Sequence, residues 1–186
     1  MAHYDVLVVG GGTGNNVAAA AADAGLDTAL IEKGPLGGTC LNRGCNPSKM
    51  LTQSPPAATH VPGAGTFFIE STLGHVDYEA IIDDMDETLS PIAEGMEERY
   101  REKDHLTLYK DEAVFVDDRT VEVDGEEVSA EKVVVAAGSR PLVPPIEGLD
   151  EVEYMTSQEA LYRREQPESL VILGGGYIAV ELGYFF

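Results

Sequence analysis

The run Tyr4-Asp5-Val6-Leu7-Val8-Val9 is apolar enough for a strand buried on both faces, and Gly10-Gly11-Gly12-Thr13-Gly14 and an alanine-rich helical stretch, Val17 to Ala24, follow it directly. Strand, glycine turn and helix in this order point to a parallel α/β sheet. In such a unit Gly10 permits the tight turn and Gly12 lets the backbone approach a pyrophosphate, while Thr13 and Gly14 lead into a helix N-terminus whose N–H groups and dipole attract the anion. Asn15 stands where the third glycine of a G-x-G-x-x-G pattern serves helix-strand packing, so a slightly displaced helix is expected. The second strand, Thr28-Ala29-Leu30-Ile31, ends in Glu32, about 20 residues beyond the turn, where a carboxylate binds a ribose hydroxyl.

Both cysteines fall in Gly37-Gly38-Thr39-Cys40-Leu41-Asn42-Arg43-Gly44-Cys45-Asn46-Pro47-Ser48-Lys49. Residues five apart in a regular helix are separated by roughly 7.5 Å of rise alone, beyond the ~7 Å between Cα atoms that a disulfide tolerates. A bridge therefore needs an irregular Cys40 end, with Gly44 supplying freedom and Pro47 suiting a first helical turn. Reduced structural cysteines are the bland alternative. A zinc site is disfavoured, because two thiols leave a tetrahedral shell unfilled and His3, His60, His75 and His105 are scattered; no metal is expected.

A second glycine turn closes the sequence. Ser169-Leu170-Val171-Ile172-Leu173 reads as a buried strand, followed by Gly174-Gly175-Gly176-Tyr177-Ile178-Ala179, a G-x-G-x-x-A turn, and by Val180-Glu181-Leu182-Gly183.

The cysteine segment closely resembles the active-site signature of the flavin-dependent pyridine nucleotide-disulfide oxidoreductases, with Arg43 and Asn46 standing where that family places aliphatic residues. The resemblance implies a flavoprotein enzyme built on a Rossmann-like FAD-binding domain, a parallel sheet with a β-meander, over residues 1–148. The start of a nicotinamide-binding Rossmann domain over 149–186 would follow. It implies Cys45 as charge-transfer thiol, Cys40 as interchange thiol, and Lys49 near the flavin's reactive nitrogen with Glu181 as its partner. FAD contacts are carried over to Gly10, Gly12, Thr13, Gly14, Glu32, Lys33, Gly38, Thr39, Lys49, Ala113, Ala137, Gly138 and Ser139. Contacts to NAD(P)H go to Gly174, Gly176, Tyr177, Ile178, Ala179 and Glu181, with Tyr177 resembling the aromatic that covers the flavin. The carboxylate of Glu32 repels a 2′-phosphate, so the first site is expected to take FAD and not NADP. NADH and NADPH are undecided at the second.

In that reading the whole enzyme is a homodimer that moves electrons from nicotinamide through flavin to a Cys40-Cys45 disulfide, and on to a small-molecule disulfide. The Gly14-Asn15 turn and Ala136-Ala137-Gly138-Ser139-Arg140-Pro141-Leu142-Val143-Pro144-Pro145 look most like the mycothione reductase branch, placing a low-molecular-weight thiol disulfide first. Dihydrolipoamide comes second and mercuric ion third; a non-turnover flavin-binding module is the reading from another class. The resemblance also leads us to expect a chain cut short of its nicotinamide and interface domains, inactive by itself, without the partner's acid/base His, and with Leu182, Phe185 and Phe186 left uncovered.

Between the two turns we expect a cysteine helix over Asn46 to Ala58, a turn at Pro62-Gly63-Ala64-Gly65 and a long helix from Tyr78 to about Arg101, kinked at Pro91. Strands follow at Leu106–Tyr109, Ala113–Val116 and Thr120–Val123, then a turn at Asp124-Gly125 and a strand Val133–Val135. Thr156-Ser157-Gln158-Glu159 is a helix-capping signal.

The 33 acidic against 12 basic residues give a formal charge of −21, with 44% hydrophobic residues. This is a globular core under an acidic coat that repels nucleic acid and anionic membranes. With no signal peptide and no apolar run near the roughly 20 residues of a membrane span, a cytoplasmic protein with no membrane or nucleic-acid partner is expected. Salt screens such self-repulsion. Refolding is accordingly expected to become more complete as potassium chloride is raised toward molar concentrations, and a yield independent of salt would contradict this.

Overall fold

The computed structural model describes residues 2–186. Residues up to Asn42 with Ser90–Arg140 form one compact unit, and Arg43–Leu89 with Pro141–Phe186 form another.

The first unit is a six-stranded sheet. Its strands are β1 (Ala2–Val9), β2 (Thr28–Ile31), β3 (Leu106–Tyr109), β4 (Val114–Asp117), β5 (Thr120–Val123) and β6 (Glu126–Val135), in the order β3-β2-β1-β6-β5-β4. β1, β2, β3 and β6 run parallel, and β4-β5-β6 form an antiparallel meander that turns at Asp124-Gly125. β2 and the Val6–Val8 centre of β1 are buried on both faces, their apolar side chains pointing alternately to opposite sides. Val6, Val8 and Leu30 pack with Ala18 and Ala22 of α1 (Gly14–Asp23), while Leu7, Ala29 and Ile31 pack with Val121, Val123 and Val128 of the meander.

Register places four strand ends side by side: Val9 pairs with Ile31 and with Val135, and Ile31 pairs with Tyr109. Gly10, Glu32, Ala136 and Lys110 therefore leave the sheet along one carboxyl edge. β2 and β6 flank β1 on opposite sides, so this edge is a topological switch point, where open α/β sheets bind ligands.

The helix α1 starts at Gly14, earlier than the expected Val17. A Cβ at Gly14 would lie 2.8 Å from Val8 Cγ1, so Gly14 makes the close helix-strand approach. Asn15 is buried too, its Nδ2 donating to Met96 Sδ at 3.3 Å and its carbonyl accepting from Tyr100 Oη at 3.1 Å.

The cysteine region also departs from expectation. Cys40 lies within a short helix, α2 (Gly38–Arg43), and Cys45 opens α3 (Cys45–Leu51). The break is at Gly44, with φ −156° and ψ −111°, rather than at the Cys40 end. In place of one helix to Ala58, α3 ends at Leu51 and α4 (Ser54–Gly63) follows, so that Pro62 and Gly63 of the expected turn are helical and the chain turns in a 3₁₀ segment, Ala64–Phe67. Pro55 and Pro56 favour a fresh N-terminus, since a first turn uses no N–H donors.

The long helix α5 (Tyr78–Arg101) has the expected bounds and runs through Pro91. In the second unit its first half buries Ile82, Met85 and Leu89, and Tyr78 packs on Phe185 with ring centroids 5.5 Å apart. Phe185 and Leu182 are therefore buried, contrary to expectation, because the Tyr78 end of α5 receives the helix α7 (Tyr177–Phe185). Between them α6 (Ser157–Leu161) carries the expected capping box: Thr156 accepts from Gln158 N–H, and Glu159 accepts from Thr156 N–H at 2.9 Å.

The expected strand Ser169–Leu173 does not form: the segment has no regular structure, and Leu170, Val171, Ile172 and Leu173 are exposed. A strand requires a hydrogen-bonded neighbour, and the described residues supply it none.

Candidate functional site

In the first unit the glycine turn is enclosed by backbone. Gly10 has φ +111°, and a Cβ there would fall 2.2 Å from the Ala136 carbonyl oxygen. Gly38 has φ +62°, and a Cβ there would fall 2.5 Å from Gly12 Cα. The 10–14 turn, the residues after β6 and the start of α2 thus meet at distances that only glycine permits. Gly37 N–H donates to the Gly11 carbonyl at 2.9 Å, which joins the two glycine segments directly. No side chain caps α1 at Thr13; Asn15 and Asn16 N–H donate to the Gly12 and Thr13 carbonyls at 3.2 Å, and the positive end of the helix dipole lies at the turn.

Glu32 folds back onto this turn. Its Oε2 accepts Gly11 N–H at 2.6 Å and its Oε1 accepts Gly34 N–H at 2.7 Å. Each oxygen retains a lone pair for a ligand hydroxyl. The cradle fits a dinucleotide: a Cβ-free turn at a helix N-terminus for the pyrophosphate and a fixed carboxylate for a ribose.

The other residues assigned to this site are placed as follows. Thr13, Thr39, Ala137, Gly138 and Ser139 are exposed, and Gly138 has φ +73°. Ala113 is half-buried against the meander side of the sheet. Lys33 is drawn to Glu112, with Nζ 2.6 Å from the carboxylate. Cys40, in the first unit, and Cys45, in the second, are both exposed. Among the described residues no metal-binding cluster of His, Cys, Asp and Glu occurs, and no helix is long and apolar enough to cross a membrane.

In the second unit, Lys49 of α3 donates to Glu181 Oε1 of α7, and Ser48 Oγ donates to Glu181 Oε2 at 3.0 Å. These two donors, Lys49 foremost, hold the Glu181 carboxyl below its ordinary range. Ser48 lies inside the motif but was not singled out from sequence; its spacing from Lys49 gave no sign of a shared partner. Gly174 repeats the conformation of Gly10, with φ +112°, yet nothing encloses it. The turn borders an open cleft of about 1110 Å³, lined among others by Val171, Leu173, Gly176, Ile178 and Ala179. Tyr177 is 78% exposed and so is not a packed core ring.

The chain matches the family described as pyridine nucleotide-disulphide oxidoreductase over residues 4–186, and it belongs to that family. The family's cofactors are FAD and NAD(P)H. The chain is 35% identical to the mercuric reductase of Staphylococcus aureus, covering 98% of this chain and 34% of that protein. It is equally 35% identical to the mycothione reductase of Mycobacterium tuberculosis, covering 100% of this chain and 42% of the relative. Its fold is similar to that of the HOCl-induced flavoprotein disulfide reductase RclA from Escherichia coli, with a TM-score of 0.80 and 29% identity over 98% of this chain and 39% of that one. The chain thus spans between 34% and 42% of the length of these relatives.

Proposed function

We propose that the chain is the flavin-holding, dithiol-bearing part of an NAD(P)H:disulfide oxidoreductase acting on a low-molecular-weight thiol disulfide. The single observation that carries this reading is the glycine cradle with the Glu32 carboxylate fastened to it. Residues 1–148 would be the FAD domain and 149–186 the opening of a nicotinamide domain.

Gly10, Gly12 and Gly14 with the N-terminus of α1 would hold the FAD pyrophosphate, and Glu32 the adenosine ribose. FAD supplies two-electron chemistry linking a reduced nicotinamide to a disulfide. The chain's own thiols do the exchange. Cys40 thiolate attacks one sulfur of the substrate, forming a mixed disulfide and releasing one thiolate; Cys45 thiolate then attacks Cys40 Sγ, closing the Cys40-Cys45 disulfide and releasing the second. Two electrons pass from the dithiol to the substrate. Glu181 keeps the Lys49 side chain in place on α3. Tyr177, exposed beside the second glycine turn, would move as the nicotinamide enters. The whole enzyme would be a cytoplasmic homodimer. Dihydrolipoamide oxidation is the second reading, favoured by 38% identity to the dihydrolipoyl dehydrogenase of Trypanosoma brucei brucei over 97% of this chain.

Flavin titration tests the cradle. Glu32→Ala removes the acceptor for both turn N–H groups and for the ribose, and is expected to weaken FAD roughly tenfold or more, read by quenching of flavin fluorescence. Unchanged FAD retention in this variant would remove Glu32 from the site.

A further inference from the structure

The carboxylate proposed to bind ribose is held from behind. Glu32 takes one of its two N–H donors from Gly34, so its position depends on where residue 34 lies. That residue sits in a loop without regular structure, and Pro35 after it has no N–H with which to tie the loop down.

Gly37 and Lys33 tie the loop on either side through Gly11 and Glu112, and the tie at residue 34 itself comes from Lys110. Its ammonium donates to the Gly34 carbonyl and lies 2.9 Å from Glu97 Oε2 of α5. The side chains of Lys110 and Glu97 are only 24% and 28% exposed, so solvent and salt screen the pair less than they screen a surface one. Arg101, 2.8 Å from the other Glu97 oxygen, fixes the carboxylate to its own helix. Arg101 first and Lys110 second hold the Glu97 carboxyl below its ordinary range. Lys110 itself directly follows β3, whose Tyr109 carbonyl accepts Glu32 N–H at 3.0 Å. One ammonium thus bridges α5 and the loop beside the ribose carboxylate.

From this chain of contacts we propose that Lys110 is a positioning residue for the adenosine half of the flavin dinucleotide. It fixes Gly34, and through Gly34 the Glu32 carboxylate, without touching the ligand. The inference rests on the flavin reading above and adds to it the residue that makes the site selective for a dinucleotide over a mononucleotide. The role of Lys110 is not legible in the sequence because its partners lie 13 and 76 positions away; the one signal is a lysine at the end of a strand in a chain with few of them.

The experiment compares FAD with FMN, which lacks the adenosine ribose, on the apoprotein. Lys110→Met is expected to weaken FAD about tenfold and FMN by less than about twofold. Lys110→Arg, which keeps a cation and donors, is expected to restore most of the FAD affinity. In a Glu32→Gln background Lys110→Met is expected to add less than about twofold, because its effect runs through a carboxylate already removed. Urea unfolding of the flavin-free variants separates any general loss of stability from the FAD-specific effect. Equal weakening of FAD and FMN, unchanged FAD binding in Lys110→Met, or full additivity with Glu32→Gln would each overturn the proposal. If the unaltered chain took up no FAD, the flavin reading itself would fail, and this inference with it.

Discussion

Gly10→Ala is expected to destabilise the first unit by about 4 kcal/mol, most of the stability of a marginal domain. Two effects add. The residue sits at φ +111°, where a Cβ costs roughly 1–2 kcal/mol. That Cβ would also lie 2.2 Å from the Ala136 oxygen and 2.5 Å from its carbonyl carbon. Neither strand end can withdraw cheaply, because Gly10 N–H donates to Ile31 at 2.8 Å and Ala136 N–H donates to Val9 at 2.7 Å. Overpacking against fixed backbone adds about 1–3 kcal/mol. Gly25→Ala is the control: φ is +78° but nothing lies within 4 Å of the new methyl, leaving conformational strain alone. Urea unfolding followed by circular dichroism reads both. A Gly10→Ala midpoint matching that of Gly25→Ala would show that the 10–136 approach relaxes.

Removing either thiol is expected to end turnover in the enzyme containing this chain, by about a thousandfold or more, as for a nucleophile that acts in covalent exchange. The two variants should fail differently. With Cys45→Ser, Cys40 still attacks a disulfide but no resolving thiol follows, so the protein accumulates a mixed disulfide carrying one half of the substrate. With Cys40→Ser no such adduct forms at the attacking position. Intact-mass measurement after exposure to a small-molecule disulfide distinguishes them, and alkylation of the air-oxidised parent without prior reduction should leave no modified thiol. An adduct on Cys40→Ser in place of Cys45→Ser would reverse the roles; turnover within about tenfold of the parent in both would remove the dithiol from the reaction.

Local signals set several elements. The bounds of β2, β3, β5 and α5 came directly from runs of apolar or periodic residues. The Asp124-Gly125 turn, with φ of 51° and 73°, and the capping box at Thr156 are also set by residues within a few positions of one another. The cysteine helix was read less well because prolines at 47, 55 and 56 each mark a plausible start, and only packing selected a break at Gly44 and a second one after Leu51. The apolar run at 169–173 shows the limit from the other side. Its composition is that of a strand, but a strand is a relation between segments.

The sequence by itself determined that this chain builds a glycine turn at the carboxyl end of a buried strand, a carboxylate one strand over and a thiol pair across a glycine. Each depends on residue type and short spacing: φ above zero needs glycine, and twenty residues suffice for helix and return strand. Tertiary structure alone decided that β6 lies beside β1, so that Ala136 closes over Gly10. It alone also brought Lys110 to the loop that steadies Glu32, whereas the Lys49-Glu181 pair, 132 positions apart, is one that the family resemblance implies and residue spacing does not. Those pairings join segments far apart in the chain, and no spacing rule encodes them; they follow from which apolar faces bury one another.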